Sequence, residues 1–125
     1  MKTALLLMAH GSRQQEANND LHFIAAELLR RGKYPIIEAS FLELARPTIE
    51  EGAVRCVGQG ADQIVMVPYF LSAGVHVQRD LTELRDQLSA RFPDVKFLLA
   101  EPLGRHPLHL EVVLARVEEA KRRFG

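Results

Sequence analysis

Cysteine is nearly missing from this sequence: Cys56 stands alone among 125 residues. A single thiol excludes an intrachain disulfide, a zinc site built on cysteine pairs and an iron–sulfur cluster held by this chain alone. It also suits a reducing compartment. Long apolar runs are missing too. None approaches the roughly 20 residues that cross a bilayer, and the start lacks the extended apolar segment and small-residue cleavage site of a secretory signal. A cytoplasmic location with no membrane partner is expected. Charge of one sign is lacking as well, because 16 basic side chains balance 16 acidic ones, so bulk charge gives no reason to expect nucleic acid. The one basic run, Lys121-Arg122-Arg123, fits the last turn of a helix, where cations suit the helix dipole. No linker, repeat or low-complexity tract interrupts the chain, so residues 1–125 are expected to form one domain, long enough to bury its own core.

What is present is an alternation of short apolar runs with segments of helical period. Leu5 to Ala9 reads as a strand, too continuously apolar to be half-exposed. Ser12-x-x-Gln15 then has the spacing of a capping box, ahead of Ala17, Leu21, Ile24, Ala25, Leu28 and Leu29 on one helical face. Arg30-Arg31-Gly32 closes that helix. Ile36 to Leu42 is a second strand, and Pro47 suits the first position of the next helix. Ile49, Ala53, Val54 and Val57 follow at helical spacing. Ile64 to Val67 is a third strand, stopped by Pro68; Tyr69 to His76 reads as irregular, pivoting at Gly74. Leu81, Leu84 and Leu88 make a third helical stripe, and Val95 to Ala100 a fourth strand. After a loop through Pro102, Gly104 and Pro107, a last helix carries Leu110, Val113, Leu114, Val117 and Phe124 on one face. This order predicts an α/β fold: a doubly wound four-stranded parallel sheet with helices on both faces.

In such sheets ligands bind beyond the carboxyl ends of the strands, and those ends carry chemistry. His10, Gly11, Ser12 and Arg13 follow the first strand, and Glu43 and Arg46 the second. Ser72, His76, Arg79 and Asp80 follow the third; Glu101, Arg105, His106 and His109 follow the fourth. His22 falls mid-helix and reads as a partly exposed surface residue. Two imidazoles and a carboxylate, from His10, His76 and Glu43, suit Fe, Co, Ni or Zn divalent ions. Three ligands would leave coordination positions open, unlike a closed structural zinc site. The bland alternative is a set of solvated loop histidines, since anything at a strand end shares this spacing. Arg13, Arg46, Arg79 and Arg105 each follow a different strand; converging, they would form a rim for carboxylates or phosphates. Paired with nearby acids such as Glu16, Glu43 or Asp80, they would do nothing of the kind. The phosphate-loop and G-x-S-x-G patterns are absent, so Ser12 reads as a capping residue and not as a nucleophile.

Four blocks, "LLLMAHGSR", "FLELARPTIEE", "VPYFLSAGVHVQRDL" and "PLGRHP", together resemble the sirohydrochlorin chelatases of the small CbiX/SirB type, in order and spacing over essentially the whole chain. That family belongs to the class II chelatases, which insert a divalent metal into a tetrapyrrole without ATP or a prosthetic group. The resemblance implies Co2+ insertion into sirohydrochlorin on the way to cobalamin or siroheme, with Fe2+ or Ni2+ as alternative metals. It makes His10 and His76 the metal-handling and catalytic pair, with Glu43 as third group. Ser12, Arg13, Arg46, Ser72, Arg79 and Arg105 become candidate contacts to the anionic macrocycle. It also implies that this chain is a half-unit acting as a homodimer. Two other readings compete: a non-enzymatic divalent-metal-binding module, and a phosphate-ester hydrolase using His10. The second lacks an arginine immediately before that histidine.

Overall fold

The computed structural model describes all 125 residues, Met1–Gly125. Four strands, β1 (Thr3–Ala9), β2 (Ile36–Phe41), β3 (Gln63–Pro68) and β4 (Lys96–Leu99), alternate with four helices, α1 (Gln15–Arg30), α2 (Ile49–Gly58), α3 (Val75–Arg91) and α4 (Leu108–Phe124). All pairings are parallel and the strand order is β2-β1-β3-β4. β1 is therefore central, as its unbroken apolar run requires.

Successive side chains of a strand point to opposite faces, and the core divides accordingly. Ala4, Leu6, Met8, Ile64, Met66 and Phe97 pack against Ile49, Ala53 and Cys56 of α2 and Leu81 and Leu88 of α3. On the other face Leu7, Ile37, Ala39 and Phe41 pack against Leu21 of α1. α2 sits so close that a Cβ on Gly52 would lie 2.7 Å from Leu6 Cδ1. Cys56 is wholly buried there; burial, and then the charge of Glu38, push its thiol up to about 12. That thiol is a core side chain, inert by its protonation.

Four sequence expectations are corrected. Ser12 does not cap α1: Gln14 holds the cap position without a side-chain bond, and Ser12 Oγ instead accepts from the Gln14 N–H at 3.0 Å in a local turn. Pro47 precedes α2 and does not open it. Thr48 is the cap, in a full capping box with Glu51. His76 is not in an irregular loop. Gly74, extended at φ −66° and ψ 168°, caps α3, and no proline follows before Arg91, so the helix starts directly after it and places His76 in its first turn. Finally, α4 buries no residue at all; its apolar stripe faces away from its own core.

The start of α2 carries a pH signature. Arg46 Nη2 donates to Glu51 Oε2, and Arg46 Nε donates to Glu51 Oε1 at 3.1 Å. The Arg46 hydrogen bond first, and then the Thr48 N–H, hold the Glu51 carboxyl down to about 2. A carboxyl lowered by folding adds stability above its ordinary value, and that increment is lost as pH falls through the lowered one. Glu51→Gln is therefore expected to be less stable than wild type at pH 7, by an amount that shrinks between pH 4.5 and pH 2. Urea midpoints of both proteins at pH 7 and pH 3 would show it; a gap that widens at pH 3 would contradict it.

Candidate functional site at the carboxyl edge

The parallel sheet delivers every strand end to one edge, and the central strand delivers His10. At Ala9 the apolar run ends, and Gly11 turns the chain at φ +94°, a left-handed conformation that side chains disfavour. The turn is stitched to the end of β2: Leu42 N donates to Ala9 O at 2.9 Å, and Glu43 N donates to His10 O at 3.0 Å. His10 and Glu43 are thus backbone neighbours across two strand ends, though 33 residues apart in sequence.

The ladder also selects the neighbour of the imidazole on the opposite side. Met8 is in register with Pro68, and Tyr69 N donates to Met8 O at 2.6 Å. Two residues beyond each register partner, the His10 and Phe70 rings stack with centroids 4.6 Å apart and 29° between planes. Phe70 also packs against the α2/α3 core, so the exposed imidazole rests on an anchored ring.

A third support escaped sequence reasoning. Asn18, 5% exposed, clamps the loop through both amide atoms: its Oδ1 accepts from Ser12 N at 2.9 Å and its Nδ2 donates to Ser12 O at 2.8 Å. The signal was available, because Asn18 occupies a place on the stripe continued by Leu21, Ala25 and Leu28. A polar residue facing the core must find partners.

The remaining candidates sort into those brought together and those kept apart. Ser12 lines one cleft of about 290 Å³ with His10, Asn18, Asp20 and Tyr69. Ser72 and Arg105 share a second cleft of about 330 Å³ with Glu101. Arg79 lines an adjoining one of about 490 Å³, which shares Gln78, Glu101 and Pro102 with it. Glu101 is therefore the carboxylate common to both walls. His76 stands exposed on α3 and lines none of these clefts. No three His, Cys, Asp or Glu side chains of one chain are gathered closely enough to hold a metal ion. His22 lies exposed on α1, its ring edge-on to Phe41 at 5.6 Å. His106 is occupied locally, its Nδ1 accepting from Leu108 N at 3.1 Å at the start of α4.

The arginines differ among themselves. Arg46 is engaged by Glu51, whose hydrogen bond and charge hold the guanidinium more firmly protonated than usual. Arg13, Arg79 and Arg105 have no carboxylate within 4.0 Å. The edge thus presents three guanidinium groups free for an anionic ligand, together with an exposed imidazole.

Fold and edge define a small α/β unit whose candidate site residues gather where the strands of a parallel sheet end. The chain belongs to the CbiX family, whose model matches residues 4–120. It is 35% identical over 114 residues to the chloroplastic sirohydrochlorin ferrochelatase of Arabidopsis thaliana, covering 91% of this chain and 51% of that one. It is 31% identical to the sirohydrochlorin cobaltochelatase of Methanopyrus kandleri, covering 94% of this chain and 96% of the relative. The structure of SirB from Bacillus subtilis with Fe3+ superposes with a TM-score of 0.84 at 34% identity, over 95% of this chain and 47% of SirB. The chain thus spans about half the length of its longer relatives and nearly the full length of a shorter one. No helix is long and apolar enough to cross a membrane.

Proposed function

We propose that this chain inserts a divalent metal ion into sirohydrochlorin without ATP, Co2+ first, with Fe2+ and Ni2+ as alternatives. It would act as one unit spanning residues 1–125, paired as a homodimer, in the cytoplasm. The observation that carries the reading is the presentation of His10. An imidazole held by a glycine turn, an asparagine clamp and a stacked phenyl ring stands exposed on an edge with three unpaired arginines. Relatives named for both cobalt and iron insertion fit a ligand set that accepts either metal.

The chemistry matches the groups. Insertion needs two pyrrole N–H protons to leave while the ion sheds its water. His10 is the base that takes a proton at the macrocycle centre and a ligand that hands over the ion. His76, from the first turn of α3, is the second base or ligand, and Glu43 supplies a charge that favours the cation. Sirohydrochlorin carries carboxylates around its rim. Arg13, Arg79 and Arg105 would bind these, Arg46 would join them by exchanging Glu51 for a substrate carboxylate, and Ser12 and Ser72 would add hydroxyl donors. Loose metal binding serves this role, since a site that closed around the ion would not release it.

The test is anaerobic mixing of the protein with sirohydrochlorin and Co2+, Fe2+ or Ni2+ in turn, following the tetrapyrrole absorbance without ATP. Insertion faster than the uncatalysed reaction with at least one metal is expected, cobalt being fastest. Uncatalysed rates with all three would refute the reading.

A further inference from the structure

Leu44 is the one non-glycine residue of this chain with a positive φ, +63°. A left-handed backbone crowds a Cβ, and among residues with side chains asparagine and aspartate enter it most readily. The turn it makes is needed. Glu43 N donates to His10 O at 3.0 Å, and Phe41 N closes the loop by donating to Pro47 O at 2.9 Å. The turn accounts for the dihedral but not for a leucine, since glycine or asparagine would make it with less strain. Packing does not account for it either. Leu42 rests on the α2/α3 core and Ala45 on the α1 core, while Leu44 between them joins neither and stands 53% exposed. A strained backbone that holds an apolar side chain out in solvent does nothing for the fold itself, and strained residues of this kind gather at ligand sites.

Leu44 has apolar company on the same edge. Leu71, which follows β3, is 65% exposed, and Val75, the first residue of α3, is 72% exposed. Each stands beside a candidate site residue. Leu44 adjoins Glu43 in the chain, Leu71 lines a cleft with Ser72 and Arg105, and Val75 lines one with Arg79. An edge that mixes bare aliphatic side chains with unpaired guanidinium groups matches a flat, conjugated ring with carboxylates on its rim. The guanidinium groups take the carboxylates, and the aliphatic side chains take the apolar face of the ring. We propose that Leu44 is a substrate-binding residue, held in its left-handed conformation so that its side chain packs on the face of the macrocycle beside Glu43 and His10. The loop thus gives up stability for affinity. The inference rests on the metal-insertion reading for the identity of its ligand.

Equilibrium titration with metal-free sirohydrochlorin, followed by tetrapyrrole fluorescence, tests it in wild type, Leu44→Asn and Leu44→Met. Leu44→Asn keeps the turn and removes the apolar contact, so its urea midpoint should equal or exceed that of wild type while its Kd rises about tenfold. Leu44→Met retains an aliphatic surface of similar volume and should keep most of the affinity. Salt separates this contact from the charged ones. The loss in Leu44→Asn should be the same at low and high ionic strength, whereas the loss in Arg79→Gln should shrink as salt rises. A lower urea midpoint in Leu44→Asn would assign the leucine to the fold and overturn the proposal. A changed sedimentation coefficient at unchanged Kd would assign it to a contact between copies and overturn it too. Wild-type affinity in Leu44→Asn would reject the role of Leu44 and leave the metal-insertion reading intact. A wild type that does not bind sirohydrochlorin at all would reject both.

Discussion

Replacing Gly11 with alanine is expected to be the most damaging single methyl addition in this protein, lowering the unfolding free energy by about 3 kcal/mol. Two independent costs meet there. At φ +94° any side chain is strained. A Cβ built on this backbone would also lie 1.8 Å from the Glu43 carbonyl oxygen and 3.2 Å from Phe41 Cβ. Neither obstacle is the flexible end of a side chain, so relief requires the end of β2 to separate from the loop after β1. That separation would break the Glu43 N–H to His10 O bond and move the two candidate groups apart. Stability and insertion rate should therefore fall together. Gly74→Ala, where an added Cβ meets nothing within 4 Å, should leave the fold nearly unchanged. Urea denaturation of the two variants decides the matter; equal midpoints would remove the loop from the account.

How much of this was legible beforehand follows from what each signal encodes. The strands were readable because each is a short continuous apolar run, bounded by glycine or proline in most cases, and the sheet order then placed His10 on the central strand. His76 was misread because Gly74 can serve as a pivot or as a helix cap, and only its extended dihedrals with an unbroken helix behind decide for the cap. Ser12 was misread for the opposite reason. Its spacing to Gln15 fits a capping box, but the left-handed Gly11 and the Asn18 clamp hold it outside the helix. The stacking of His10 on Phe70 depends on β1–β3 register, a long-range quantity that no local pattern contains. The last helix shows the limit most clearly. Its period reveals an apolar stripe, but a period cannot say whether that stripe packs on its own core, and here it does not.

The second large effect concerns His10 itself. If it is the insertion base, its removal leaves binding by the arginines intact and takes away proton transfer, a contribution of about a hundred- to ten-thousand-fold in rate. The substitution should be tolerated structurally. The imidazole is exposed, and its loop is held by backbone bonds and by Asn18 and not by the ring. His10→Ala should thus keep the wild-type urea midpoint and sirohydrochlorin affinity while losing rate. His76→Ala, which removes the proposed second base or ligand, should lose less. The most direct measurement is the initial rate of anaerobic Co2+ insertion into sirohydrochlorin by wild type and His10→Ala side by side, against the protein-free reaction. The account predicts clear acceleration by wild type and a rate for His10→Ala close to the protein-free one. Acceleration that survives the loss of His10 undiminished would contradict it.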